Sequence, residues 1–118
     1  VVLPKTGEII SVFTPKNDAA STKGLGGRSI LPEDYGMLWH FSPAQVPAFT
    51  MKGMLIPLDF IWIKDGQVAE ITAGVPMSQK LVQPTEAITE VLEVNAGYAA
   101  RHKLEKGDKL EIQAAWGN

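Results

Sequence analysis

Asp59 has the strongest claim to chemistry in this chain, because it sits near the start of an otherwise apolar run, residues 58–64 (LDFIWIK). Strand alternation puts it on the face shared by Ile61 and Ile63, so its carboxylate is expected to be partly buried. An ionised carboxylate left there without a partner would cost several kcal/mol, so a cation or a set of backbone amides must meet it. Arg28 and Lys52 are the cations expected to do so. With Glu93 and Asn95 they would line a polar patch that takes a small ligand or a protein partner. The plainer reading makes Asp59 a structural tie that holds the preceding loop through amide hydrogen bonds, while Arg28 pins the glycine-rich segment 23–29 (KGLGGRS).

A purely structural interaction protein is a further alternative, to be marked by a large exposed apolar patch, and catalytic alternatives have less behind them. Asp59 or Glu93 could act as acid or base in a hydrolase or lyase, with Arg28 or Lys52 stabilising charge, but the flanking residues offer nothing beyond two acids. Ser42 lies two positions from His40, yet there is no G-x-S-x-G elbow to mark a nucleophile. His40 and His102 show no H-x-H or H-x-x-x-H spacing, so no metal site and no cofactor are expected. The absence of cysteine removes thiolate chemistry and disulfides together. The 23–29 segment lacks the Gly-Lys-Ser/Thr ending of a nucleotide loop and reads as a helix stop and turn.

The elements that must position these residues are short. Eight prolines and eleven glycines leave apolar segments of strand length. Strands are expected over 8–13, 37–41, 58–64, 67–72, 88–94 and 109–114, with a proline-bounded loop over 42–47. Asp65-Gly66 between two strand-like runs predicts a tight hairpin, since both turn positions accept left-handed geometry. Asn17 or Asp18 would cap a short helix over 19–23 ended by Gly24, and Asn95 would cap another over 96–102. The expected fold is mainly β: a single-domain sandwich or partly closed, jelly-roll-like barrel with one or two short helices. Leu38, Phe41, Leu58, Phe60, Trp62, Ile71, Leu92 and Ile112 are expected to supply much of its core.

Composition bounds the function. The 118 residues fit one domain, 1–118, and carry a formal charge of −2 with no basic stripe, so nucleic acid is not an expected partner. No apolar run reaches the ~20 residues that cross a bilayer as a helix. Val1 is not an initiating Met, which fits a processed amino terminus and an export signal removed upstream.

The order GL followed by Arg28, then LPED-x-GMLW-x-F, then Met51-Lys52 followed by IPLDFIWI-x-DG-x-V, then VLE-x-NAG and a final Gly107-Asp108 turn resembles the uncharacterised bacterial and archaeal family DUF192, also called UPF0127. The resemblance spans nearly the whole chain. It implies a compact sandwich or jelly-roll β fold, export to the periplasm or the cell exterior, and no established activity. Arg28, Lys52, Asp59, Glu93, Asn95 and Gly97 match the family pattern by residue type. The chain departs from it at Gly26 and Gly27, where the pattern has Met and an aromatic, at Thr50, where it has Trp, and at Gly53-Met54, where it has Asn-Thr. If those positions line a family pocket, the pocket here is altered.

Overall fold

The computed structural model describes residues 1–15 and 25–113. The helix expected over 19–23, with its cap and its Gly24 stop, lies outside the described residues, as do Ala114 and Trp116.

The chain is mainly β, and the described residues form two sheets and one short helix, with no closed barrel. A small antiparallel sheet pairs β1 (Val2–Leu3) with β2 (Glu8–Ile9). The main sheet holds β3 (Ser11–Phe13), β4 (Tyr35–Gln45), β5 (Leu58–Lys64), β6 (Gln67–Val75) and β7 (Ile88–Asn95), in the spatial order β3-β4-β7-β5-β6. All its pairings are antiparallel except β3 with β4. The strand expected over 8–13 is therefore two strands in two sheets. Ile10, buried between them, donates its N–H to Val1 and turns the chain from one sheet to the other.

The hairpin at Asp65-Gly66 forms as expected, with φ of 52° and 74° at its two turn residues. The loop expected over 42–47 does not: β4 runs on through a cis Ser42-Pro43 bond to Gln45. Proline is tolerated there because β3 pairs with β4 only as far as Met37, so beyond that point one side of β4 needs no N–H donor. The strand expected over 109–114 is reduced to single bridges, Lys109 with Gln67 and Glu111 with Val2.

The sheet buries both faces. One carries Leu38, Ile61, Ile63, Leu92 and Val94 beneath Leu3, Ile10, Tyr98 and Leu110. The other carries Met37, Phe60, Trp62 and Val91 beneath Leu25, Leu31, Met51 and Val82. Of the expected core, Leu38, Leu58, Phe60, Trp62 and Leu92 are fully buried, while Phe41, Ile71 and Ile112 are only partly so. Full burial of the β5 aromatics, at roughly 1.5–3 kcal/mol per large apolar side chain, makes β5 the axis of the fold. Trp62 fits this role because its indole N–H finds Thr72 Oγ1 at 2.9 Å.

Helix α1 spans only Tyr98–Arg101, and its N-cap is Gly97, not Asn95. Gly97 has φ 88°, and a Cβ there would lie 2.5 Å from the Arg101 guanidinium, so glycine serves where asparagine was expected. Asn95 instead ends β7.

Candidate functional site

Asp59 and Glu93 lie on neighbouring strands but face opposite ways. In the β5–β7 register Asp59 opposes Val94 and Phe60 opposes Glu93, so strand alternation sends the two carboxylates to different faces of the sheet. The five sequence candidates therefore do not form one cluster.

Asp59 has 0% of its surface exposed, as its place in an apolar strand predicts. No cation meets it. Its Oδ1 accepts from the Gly74 N–H at 2.7 Å and the Gly97 N–H at 3.1 Å, and its Oδ2 from the Ala99 N–H at 3.0 Å. The expectation that Arg28 or Lys52 neutralises it is corrected: backbone amides from β6 and from the start of α1 do so. Those amides would otherwise be buried without partners, so one side chain joins three segments of the chain. Both oxygens are engaged and the residue is fully buried, which supports the reading of Asp59 as a structural tie.

Glu93 is only 4% exposed and stands between Met37 of β4 and Phe60 of β5. Its backbone is locked in place by Gly36, where a Cβ would lie 2.6 Å from the Glu93 carbonyl oxygen, so only glycine permits this strand spacing. The Glu93 side chain projects into the layer formed by Leu25, Leu31 and Met51, where desolvation pushes its carboxyl up to about 7. The Trp39 indole N–H, two positions along β4 from Met37, draws that value the other way. Trp39 Nε1 and Glu93 Oε2 are both buried and face one another, but their contact falls short of full hydrogen-bond geometry. The donor and the acceptor are thus each incompletely met.

Two connecting segments close over this face, residues 25–31 and 49–56. They meet where the Gly27 N–H donates to the Gly53 carbonyl at 3.0 Å. Arg28 and Lys52, both exposed, adjoin that seam in sequence, and the Arg28 guanidinium lies 5.5 Å from the centre of the Tyr35 ring. The Asn95 side-chain amide donates to the Leu31 carbonyl and anchors the first segment to β7. Past it, Glu33 receives both Arg101 Nε at 2.6 Å and Nη2 at 2.7 Å, and this fork holds its carboxyl below the usual range. His102, expected at a helix end, stacks on Tyr98 and bridges Glu33 and Glu8.

The structure thus leaves Arg28, Lys52, Glu93 and Asn95 on one side of the sheet and separates Asp59 from them. Sequence reasoning missed Trp39 as the polar partner of Glu93. The signal was available in principle, since Trp39 shares the parity of Met37 in the GMLW run, but pairing it with Glu93 required the strand order. It also missed Glu90, 8% exposed, which takes His40 Nδ1 at 2.8 Å on Oε2 and the Thr89 hydroxyl at 2.6 Å on Oε1. Among the described residues no group of three His, Asp or Glu side chains is placed to hold a metal ion.

Comparison with known proteins agrees with this architecture. A protein from Sinorhizobium meliloti, described as a candidate transcription regulator, superposes with a TM-score of 0.80 at 32% identity, over 86% of this chain and 81% of that one. A protein of unknown function from Novosphingobium aromaticivorans gives a TM-score of 0.80 at 28% identity, over 95% of this chain and 91% of that one. No curated protein matches. The profile of DUF192, described as an uncharacterised ACR, matches residues 1–112, and the chain belongs to that family.

Proposed function

We propose that the protein is a small binding module whose ligand enters at the seam between segments 25–31 and 49–56 and reaches the Glu93–Trp39 pair. The observation that carries this reading is the pair itself: a buried acceptor and a buried donor whose mutual contact falls short of hydrogen-bond geometry, within a layer that is otherwise apolar. Leaving such groups unmet costs about 1–3 kcal/mol each, a penalty that a ligand group able to accept from the indole and donate to the carboxylate would remove. A hydroxyl or a carboxamide has that double capacity. Arg28 and Lys52 beside the seam suit an anionic portion of the same molecule.

The positions where this chain departs from the family pattern support the choice of entry. Gly27 and Gly53 supply the two backbone groups that join the segments, so glycines stand where the pattern places an aromatic and an asparagine. An extracytoplasmic setting belongs to this reading through the family resemblance, and fractionation of cells expressing the natural gene product checks it.

The test is a thermal-shift screen of small metabolites on the wild-type chain, with each hit repeated on Glu93→Gln and Trp39→Phe. A ligand of this site should raise the melting temperature with concentration and lose most of that shift in both variants. The reading fails if no compound shifts the wild type, or if the shifts survive both substitutions. A carboxyl near neutrality is also what a general acid or base requires. Turnover of a hit that depends on Glu93 would favour the catalytic reading over simple binding.

A further inference from the structure

The opposite face of the sheet carries a cavity the Glu93 site does not use. Between His40 and Gln45, β4 departs from the ladder, so that four residues, 41–44, stand opposite the single residue Thr89 of β7. Such a bulge lifts the strand away from its partner. The arch and the Asp65-Gly66 turn border a cavity of about 440 Å³. Its polar lining is His40, Ser42, Asp65, Thr89 and Glu90, and Leu110 and Ile112 contribute apolar surface. Three strand positions separate Glu90 from Glu93, about 10 Å along β7.

The charge of this cavity is one-sided. Among the described residues two carboxylates line it and no lysine or arginine does, and the one histidine, His40, is already turned to Glu90. Glu90 is fixed by His40 on one oxygen and by the Thr89 hydroxyl on the other, and each oxygen retains a further lone pair. Asp65 is the exposed first residue of the hairpin turn, and it borders the cavity. An anionic ligand would meet both carboxylates, with His40, already bonded to Glu90, the one lining group able to offset them. A divalent cation would lack the three grouped ligands it needs among the described residues.

We infer that this cavity binds an organic ammonium ion carrying a compact apolar body. The ammonium offers three donors to the Asp65 and Glu90 carboxylates and the neighbouring hydroxyls, while the body lies against Leu110 and Ile112. A volume of this size is in the range of small-molecule sites. The proposal is independent of the Glu93 site and can fail without it.

The experiment is an NMR titration of the whole chain with benzylammonium chloride, paired with sodium benzoate, which has the same ring and the opposite charge. Benzylammonium should shift the amides of Phe41, Ser42, Ala44, Asp65, Gly66 and Thr89 saturably, and benzoate should not. Asp65→Asn should weaken benzylammonium binding by about tenfold, the size of one lost charge-assisted contact. Asparagine accepts the left-handed turn geometry, so the hairpin survives this substitution. Equal responses to the two ions, no saturable shift with benzylammonium, or unchanged affinity in Asp65→Asn would each overturn the assignment.

Discussion

Asp59 and Glu93 are acids one register step apart on adjacent strands, both buried, and they differ in every respect that decides function. Asp59 faces the ends of other elements and collects three amide donors. Glu93 faces side chains, which bring sulfur, rings and methyl groups and, among the described residues, the one N–H of Trp39, whose contact falls short of full hydrogen-bond geometry. Burial alone therefore does not mark a site. A buried charge whose hydrogen-bonding capacity is met is scaffolding, and one whose capacity is unmet is a vacancy in the chemistry of the core.

The sharpest way to break this comparison is to remove the tie. Asp59→Ala leaves three amides without an acceptor and is expected to cost about 3–5 kcal/mol. Chemical denaturation measures this directly. Asp59→Asn should cost less, since its amide oxygen can still accept while its NH₂ group opposes the remaining donor. If Asp59→Ala melts with the wild type, the three bonds do not support the fold and the contrast with Glu93 disappears.

The second test acts on the other acid. The folded-state value of about 7 for Glu93 lies above its ordinary 4.5, so the folded protein holds this proton more tightly than the unfolded chain does. Stability is then unaffected by the group below about pH 4.5 and falls as pH rises towards 7. Above that the cost levels off at about 3 kcal/mol. Glu93→Gln removes the charge while keeping the shape, and should be more stable than the wild type at pH 8 by about 1–3 kcal/mol. The two should converge near pH 4. Parallel stability curves across that range would mean that Glu93 is not desolvated.

Much of this contrast was legible in the residues, and the part that was not has a physical reason. The Asp-Gly hairpin, the apolar β5 and the burial of Asp59 follow from turn chemistry and period-two alternation, which are local. The identity of Asp59's partners is not local. Gly74, Gly97 and Ala99 lie 15 to 40 positions away in sequence, and the formal charges of Arg28 and Lys52 were a more visible solution than anonymous backbone amides. The same limit hid Trp39, since its proximity to Glu93 depends on β4 and β7 being neighbours across a chain separation of about fifty residues. Pro43 misled in a different way. Its ring usually ends a strand, but here it occupies a stretch whose outer side has no partner strand, where the missing N–H costs nothing.

Asn95 gives the smallest and most discriminating test, because it lies on the Glu93 side and touches neither acid. Its amide holds the Leu31 carbonyl, so Asn95→Ala should cost about 1 kcal/mol, the value of a single part-buried hydrogen bond. The more telling readout is the Glu93 carboxyl itself, followed by ¹³C NMR titration. Releasing segment 25–31 admits water to the layer above Glu93, and because desolvation is the main cause of its raised value, the midpoint should move down from about 7 towards 4.5. The Asp59 bonds, on the far face, should be untouched, and the Gly97 and Ala99 amides should keep their protection from hydrogen exchange. A midpoint that stays near 7 while stability drops would show that segment 25–31 does not control access to Glu93. Entry at the Gly27–Gly53 seam would then have no support.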